Sequence, residues 1–179
     1  MHLFQDHFRA MARNNSWSNH RLHRACAALS EAEYFRDRHG FFHSIHGTLN
    51  HILLVDRRYL AQLDGETVEW GGLDRELFRD LATLTREQHA TDRRLIARCD
   101  GLTAEGLAAD IRWRYTDGRT GADPVHVVLT HLFVHQIHHR GQVHGMLTQA
   151  GVAPPQLDEF FLSQDAAVRA DEIRALGLA

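Results

Sequence analysis

Proline is nearly absent from this chain: Pro124, Pro154 and Pro155 are its only three, and none precedes residue 124. Proline lacks an N–H and clashes with the preceding turn, so its absence leaves the first 120 residues free to run as long helices. Apolar residues in that stretch recur at helical spacing. A first helix is predicted from about His2 to Leu29 on Phe4, Phe8, Met11, Trp17, Leu22, Cys26 and Leu29, kinked near Asn14, Asn15, Ser16 and Ser18. A second starts near Ser44 and runs through Ile45, Leu49, Ile52, Leu53, Asp56, Leu60 and Leu63 to Gly65. Asp74 is the expected N-cap of a third, with Leu77, Leu81, Leu84, Leu95 and Ile96 inward and an end at Asp100 and Gly101.

The stretch Ile111 to Thr116 alternates apolar and polar residues before an Asp117–Gly118 turn pair, which predicts a small hairpin or extended excursion. Asp123 and Pro124 then read as N-cap and first residue of a fourth long helix, ending at Gln149 before Gly151 and the proline pair. A shorter fifth helix is expected over Gln164 to Leu176. The resulting fold class is all-α: a four-helix bundle with a short extended excursion before the fourth long helix and a C-terminal fifth helix.

With 179 residues, 44% hydrophobic and 24% charged, the chain reads as a single domain over residues 1–179. No apolar run reaches the roughly 18 to 20 residues that cross a bilayer, and no secretory apolar core is visible, so the expected location is cytoplasmic, with no membrane partner. A net charge of −3 gives no general attraction to phosphate backbones, which argues against a nucleic-acid partner. Cys26 and Cys99 form no CxxC and support neither a disulfide framework nor a thiolate metal cage.

Histidine is the unusual residue, at fifteen copies, four of them in HLFVHQIHHRGQ from His131 to Gln142. At about 100° per residue with Val128 at zero, His135 falls at about −20° and His139 at about +20°, inside the apolar stripe. His131 and His138 lie on its shoulder, and His126 and His144 opposite. Burying two imidazoles side by side is costly unless each nitrogen finds a partner, and an i, i+4 pair on one face can share one metal ion. A third ligand must come from another helix. On the second, periodicity favours His46 or Asp56, while His51 falls off the main stripe; yet the apolar run Ile52 to Val55 wraps the helix and weakens the wheel, leaving the choice open.

The segments NNSWSNHRL (Asn14–Leu22), FFHSIHGTLNHILLVDRRYLAQL (Phe41–Leu63), YTDGR (Tyr115–Arg119) and HLFVHQIHHRGQVHGMLTQAG (His131–Gly151) resemble the DinB-like metalloprotein family of bacteria. The last is the most specific, with two histidines four apart followed by Arg, Gly and Gln. This resemblance implies a four-helix bundle of DinB-like type, commonly a homodimer, with a divalent metal held by His51, His135 and His139. Where the family commonly has Asn and Thr, this chain has Val134 and Ile137, which implies the loss of polar groups that orient the ligands.

Three imidazoles leave a coordination position open, as in catalytic rather than structural sites, and suit Zn or Ni. The resemblance implies a thiol-dependent S-transferase using a low-molecular-weight thiol and an electrophilic small-molecule substrate. The alternative is a non-catalytic metal-binding stress-response protein. Arg140 is expected either to pair with a carboxylate of the thiol or substrate or, the favoured reading given its wheel position of about 120°, to form a helix–helix or dimer salt bridge. Gln142 is a candidate to orient a ligand, and Trp17 to wall the pocket or serve as plain core.

Overall fold

The computed structural model describes residues 3–66, 71–114 and 117–178. Four long helices, α1 (Leu3–Cys26), α3 (Ile45–Leu63), α4 (Leu81–Asp100) and α6 (Val125–Gln149), form the body. Short helices α2 (Glu31–Phe35) and α5 (Ala104–Ala108) fill two connections, and α7 (Ala166–Leu176) follows a single 3-10 turn. Strands β1 (Asp110–Arg114) and β2 (Thr120–Pro124) pair antiparallel, Asp110 opposite Pro124 and Arg114 opposite Thr120. The fold is therefore all-α with one small hairpin. No helix of the described residues is long and apolar enough to cross a membrane.

The expected helix ends need correction. The first helix stops at Cys26 rather than Leu29, and no kink interrupts it: Asn14, Asn15, Ser16 and Ser18 are buried inside a continuous α1. Phe4, expected in the core, is 71% exposed. The third helix begins after Asp80, whose carboxylate accepts from Thr83 N at 2.7 Å, and not after Asp74. Residues 73–79 cannot join it because α3 holds their backbone. Asn50 Oδ1 accepts from the amides of Leu77 and Phe78, and Asn50 Nδ2 donates to the Phe78 carbonyl. Pro124 itself caps α6, while Asp123 belongs to β2 and accepts from Trp113 Nε1 at 3.0 Å. The fifth helix begins at Ala166 rather than Gln164. Tyr115 and Thr116 of the predicted excursion lie outside the described residues, as does His2 of the predicted first helix.

Two apolar clusters fill the bundle. One gathers Phe8, Ala12, Tyr59, Leu95, Leu132 and Phe133; the other gathers Leu22, Leu49, Leu53, Leu84, Val143 and Leu147. Along each long helix a polar step separates them: Asn15 and Asn19 on α1, Asp56 on α3, Gln88 and Asp92 on α4, Gln136 and Arg140 on α6. All seven are buried. Arg140 donates to the side-chain oxygens of Asn15 and Asn19, whose Nδ2 groups donate in turn to Asp92 at 3.2 and 3.0 Å. Gln88 Nε2 bridges Asp56 (2.8 Å) and Asp92 (3.1 Å), and Gln136 donates to the other oxygen of Asp56. Two asparagines thus lie between a guanidinium and a carboxylate, so neither ion is left alone in the core.

Candidate metal centre

The three imidazoles of His51, His135 and His139 meet between α3 and α6, each offering a ring nitrogen, with these nitrogens all within 4.8 Å of one another. His139 follows His135 at i+4, about one turn on, so both project from the same side of α6. His51 comes from α3, on which no residue is exposed, so the direction the sequence wheel assigned it carried no information.

His51 Nδ1 donates to the Leu73 carbonyl at 2.8 Å, and His139 Nδ1 donates to Gln142 Oε1 at 2.8 Å. A carbonyl oxygen only accepts, so both rings carry the proton on Nδ1 and present a lone pair at Nε2. His51 Nε2 lies 3.0 Å from His135 Nε2. Two nitrogens bound at about 2.0–2.1 Å to one tetrahedral ion stand about 3.3 Å apart, so this separation suits a shared cation. His135 Nδ1 is buried with no hydrogen-bond partner among the described residues.

Electrostatics point the same way. Burial pulls His51 down to about 4, against the opposing pull of its bond to Leu73. Burial, reinforced by repulsion from His139 and His51, pulls His135 down to about 3. His139 is also lowered, again chiefly by burial. All three are therefore neutral near pH 7, the form that ligates metal. The donor set fits a divalent ion: the three could hold one.

Phe42 closes one side of the group, stacked on His51 with ring centres 3.9 Å apart and tilted against His139 at 5.5 Å. Sequence reasoning missed Phe42 and the Leu73 carbonyl. The first had a signal, an aromatic pair two residues ahead of the Ser44 N-cap; a backbone acceptor has none.

The other expected residues divide. Gln142 is at the site, as just described. His46 is not: its Nε2 lies 3.3 Å from the Phe78 carbonyl and its ring packs on Phe35. Asp56 and Arg140 sit in the polar layer, so Arg140 bridges helices and its guanidinium is not open to a ligand's carboxylate. Trp17 walls no pocket at the histidines; fully buried, it donates to Glu172 at 2.8 Å and packs on Phe160, pinning the C-terminal segment to α1. Val134 and Ile137 are 59% and 54% exposed, so they stand on the outer face of α6 and their substitution takes nothing from His139, which Gln142 orients.

No curated protein matches this chain. Among solved structures it is similar to the crystal structure of a DinB-like protein from Bacillus cereus ATCC 10987, with TM-score 0.59 and 20% identity over 78% of this chain and 90% of that one. At that identity the likeness concerns the fold. The model of the DinB family matches residues 3–172, nearly the whole length. With its helices in the matching arrangement and three histidines converging, the chain belongs to the DinB family.

Proposed function

We propose that His51, His135 and His139 ligate a divalent metal, Zn or Ni, and that the protein is a thiol-dependent S-transferase acting on an electrophilic small molecule. The observation that carries this reading is the set of three neutral imidazoles whose ligating nitrogens lie within 4.8 Å of one another. A divalent ion at such a site supplies positive charge that favours the thiolate over the thiol near neutral pH.

The chain's own residues do the rest. Leu73 and Gln142 fix two rings with Nε2 inward. Phe42 covers the His51 and His139 rings and keeps water from that side. The protein's own thiols are unsuited to attack: Cys26 and Cys99 are buried and their pKa values are pushed up to about 12, so the nucleophile comes from a small-molecule thiol. The outer face of α6 presents Val127, Val134 and Ile137 beside Gly141, an uncharged stripe suited to a second copy of the chain, and we read the protein as a homodimer.

The test is elemental analysis of protein purified without added metal, followed by conjugation assays with glutathione, mycothiol and bacillithiol against a chromogenic electrophile. Metal present and one thiol consumed faster than by the His135→Ala variant supports the reading. Metal present with no thiol accelerated favours the non-catalytic metal-binding alternative.

A further inference from the structure

A second histidine group, unused by the centre above, lies between α1 and α4. His20 and His23 stand three residues apart on α1, and the His89 ring from α4 lies with its centre 5.6 Å from that of His20. His23 is 2% exposed, with Nδ1 2.8 Å from the Thr85 hydroxyl. Three ring nitrogens here, His20 Nδ1, His23 Nε2 and His89 Nε2, are buried and have no hydrogen-bond partner among the described residues. Buried polar atoms are nearly always paired, so three orphaned lone-pair or N–H positions in one place call for an explanation.

We propose that His20 and His89, joined by His23, form a second divalent-cation site bridging α1 and α4, open to ions that prefer imidazole, such as Zn, Ni or Cu. Two imidazoles bound at about 2.0–2.1 Å to one ion bring their ring centres roughly 5 to 5.5 Å apart, close to the spacing found. Among the described residues only the His51 group has three ligand atoms within 4.8 Å. The second site is therefore built on the His20–His89 pair, with His23 turning to complete it and water filling the remaining positions.

Local charge at these rings is mixed, with Glu172 favouring a cation near His20 and arginines opposing it. Of the cations nearest these rings, Arg21 is paired with Glu159 and Glu172, and Arg24 with Glu172; Arg93 adds a positive charge on the His89 side. Burial lowers all three histidines, so they are neutral at pH 7 and have lone pairs to give. His20 and His89 are half-buried, which leaves the ion a route in from the surface.

The test counts ions bound by the full chain after chelation and dialysis against micromolar Zn. Wild type is expected to hold about two per chain, and His20→Gln, His89→Gln and His135→Gln about one each. The His89→Gln/His135→Gln double variant should hold none. On wild type, histidine modification by diethyl pyrocarbonate should be blocked at His20 and His89 by the second equivalent, a readout that needs no variant to fold. One ion per chain in wild type that survives His89→Gln and is lost in His135→Gln, or a second ion that survives both His20→Gln and His89→Gln, overturns the proposal. An ion lost in His89→Gln but none lost in His135→Gln would instead remove the first centre and leave this one standing.

Discussion

Gln142 holds the His139 ring from one turn further along α6: its Oε1 accepts the Nδ1 hydrogen at 2.8 Å, while its Nε2 lies 3.1 Å from His138 Nε2. Loss of such an orienting partner typically weakens metal binding by about 10- to 100-fold. Gln142→Leu is therefore expected to raise the metal dissociation constant by that factor while leaving the helical circular dichroism intact. An unchanged constant would mean that the ring is oriented by packing against Phe42 alone.

Arg140 is the cation of the polar layer, 3% exposed and bound to Asn15 and Asn19. Arg140→Met leaves Asp92 buried with no compensating positive charge, and breaking a buried charge pair from one side costs about 3–5 kcal/mol. Urea denaturation should show a loss of that size. A loss below about 1 kcal/mol would show that Asp92 is neutral in the fold.

Asp56 sets an alkaline limit on stability. Burial, and then repulsion from Asp92, push its carboxyl up to about 8, so the folded protein prefers it protonated. Its contribution is complete below the ordinary carboxylate range and is lost as pH rises through about 8. The buried histidines act oppositely. His51 at about 4 and His135 at about 3 are held below their ordinary value, so their contribution is present above about 6.5 and lost as pH falls through those values. Thermal unfolding is thus expected to show highest stability near neutrality. In Asp56→Asn the fall between about pH 6.5 and 8 should flatten, because Gln88 and Gln136 each have an Oε1 with no partner among the described residues that can turn to accept the new amide. An identical alkaline slope in Asp56→Asn would refute the assignment.

Much of the architecture is legible in the sequence because proline placement and a 3.6-residue period act locally. The i, i+4 pair His135 and His139 is legible for the same reason. The polar layer is not: an apolar wheel centred on Val128 places Arg140 about 120° away, yet α6 buries Gln136 and Arg140 along with Leu129 and Phe133. The buried arc is therefore rotated toward residues that an apolar count scores as surface, and the two ligand histidines stand at its edge. Asp74 is the N-cap expected for the third helix, and the long-range bonds from Asn50 to the amides of Leu77 and Phe78, which keep that backbone out of the helix, have no local signature.

On the proposed thiol-transfer reading, Cys26→Ala and Cys99→Ala test who supplies the sulfur. Both thiols are buried and held in the protonated form, so each variant should keep the wild-type rate of thiol conjugation, apart from modest loss of stability. Loss of conjugation in either variant, with the fold intact, would move the nucleophile into the protein.

The most direct measurement is an anomalous-difference map from crystals grown with Zn. A single peak about 2.0–2.1 Å from Nε2 of His51, His135 and His139 together is the expected result. Full occupancy of the crystals by zinc elsewhere, with no density shared by these three nitrogens, would contradict the account.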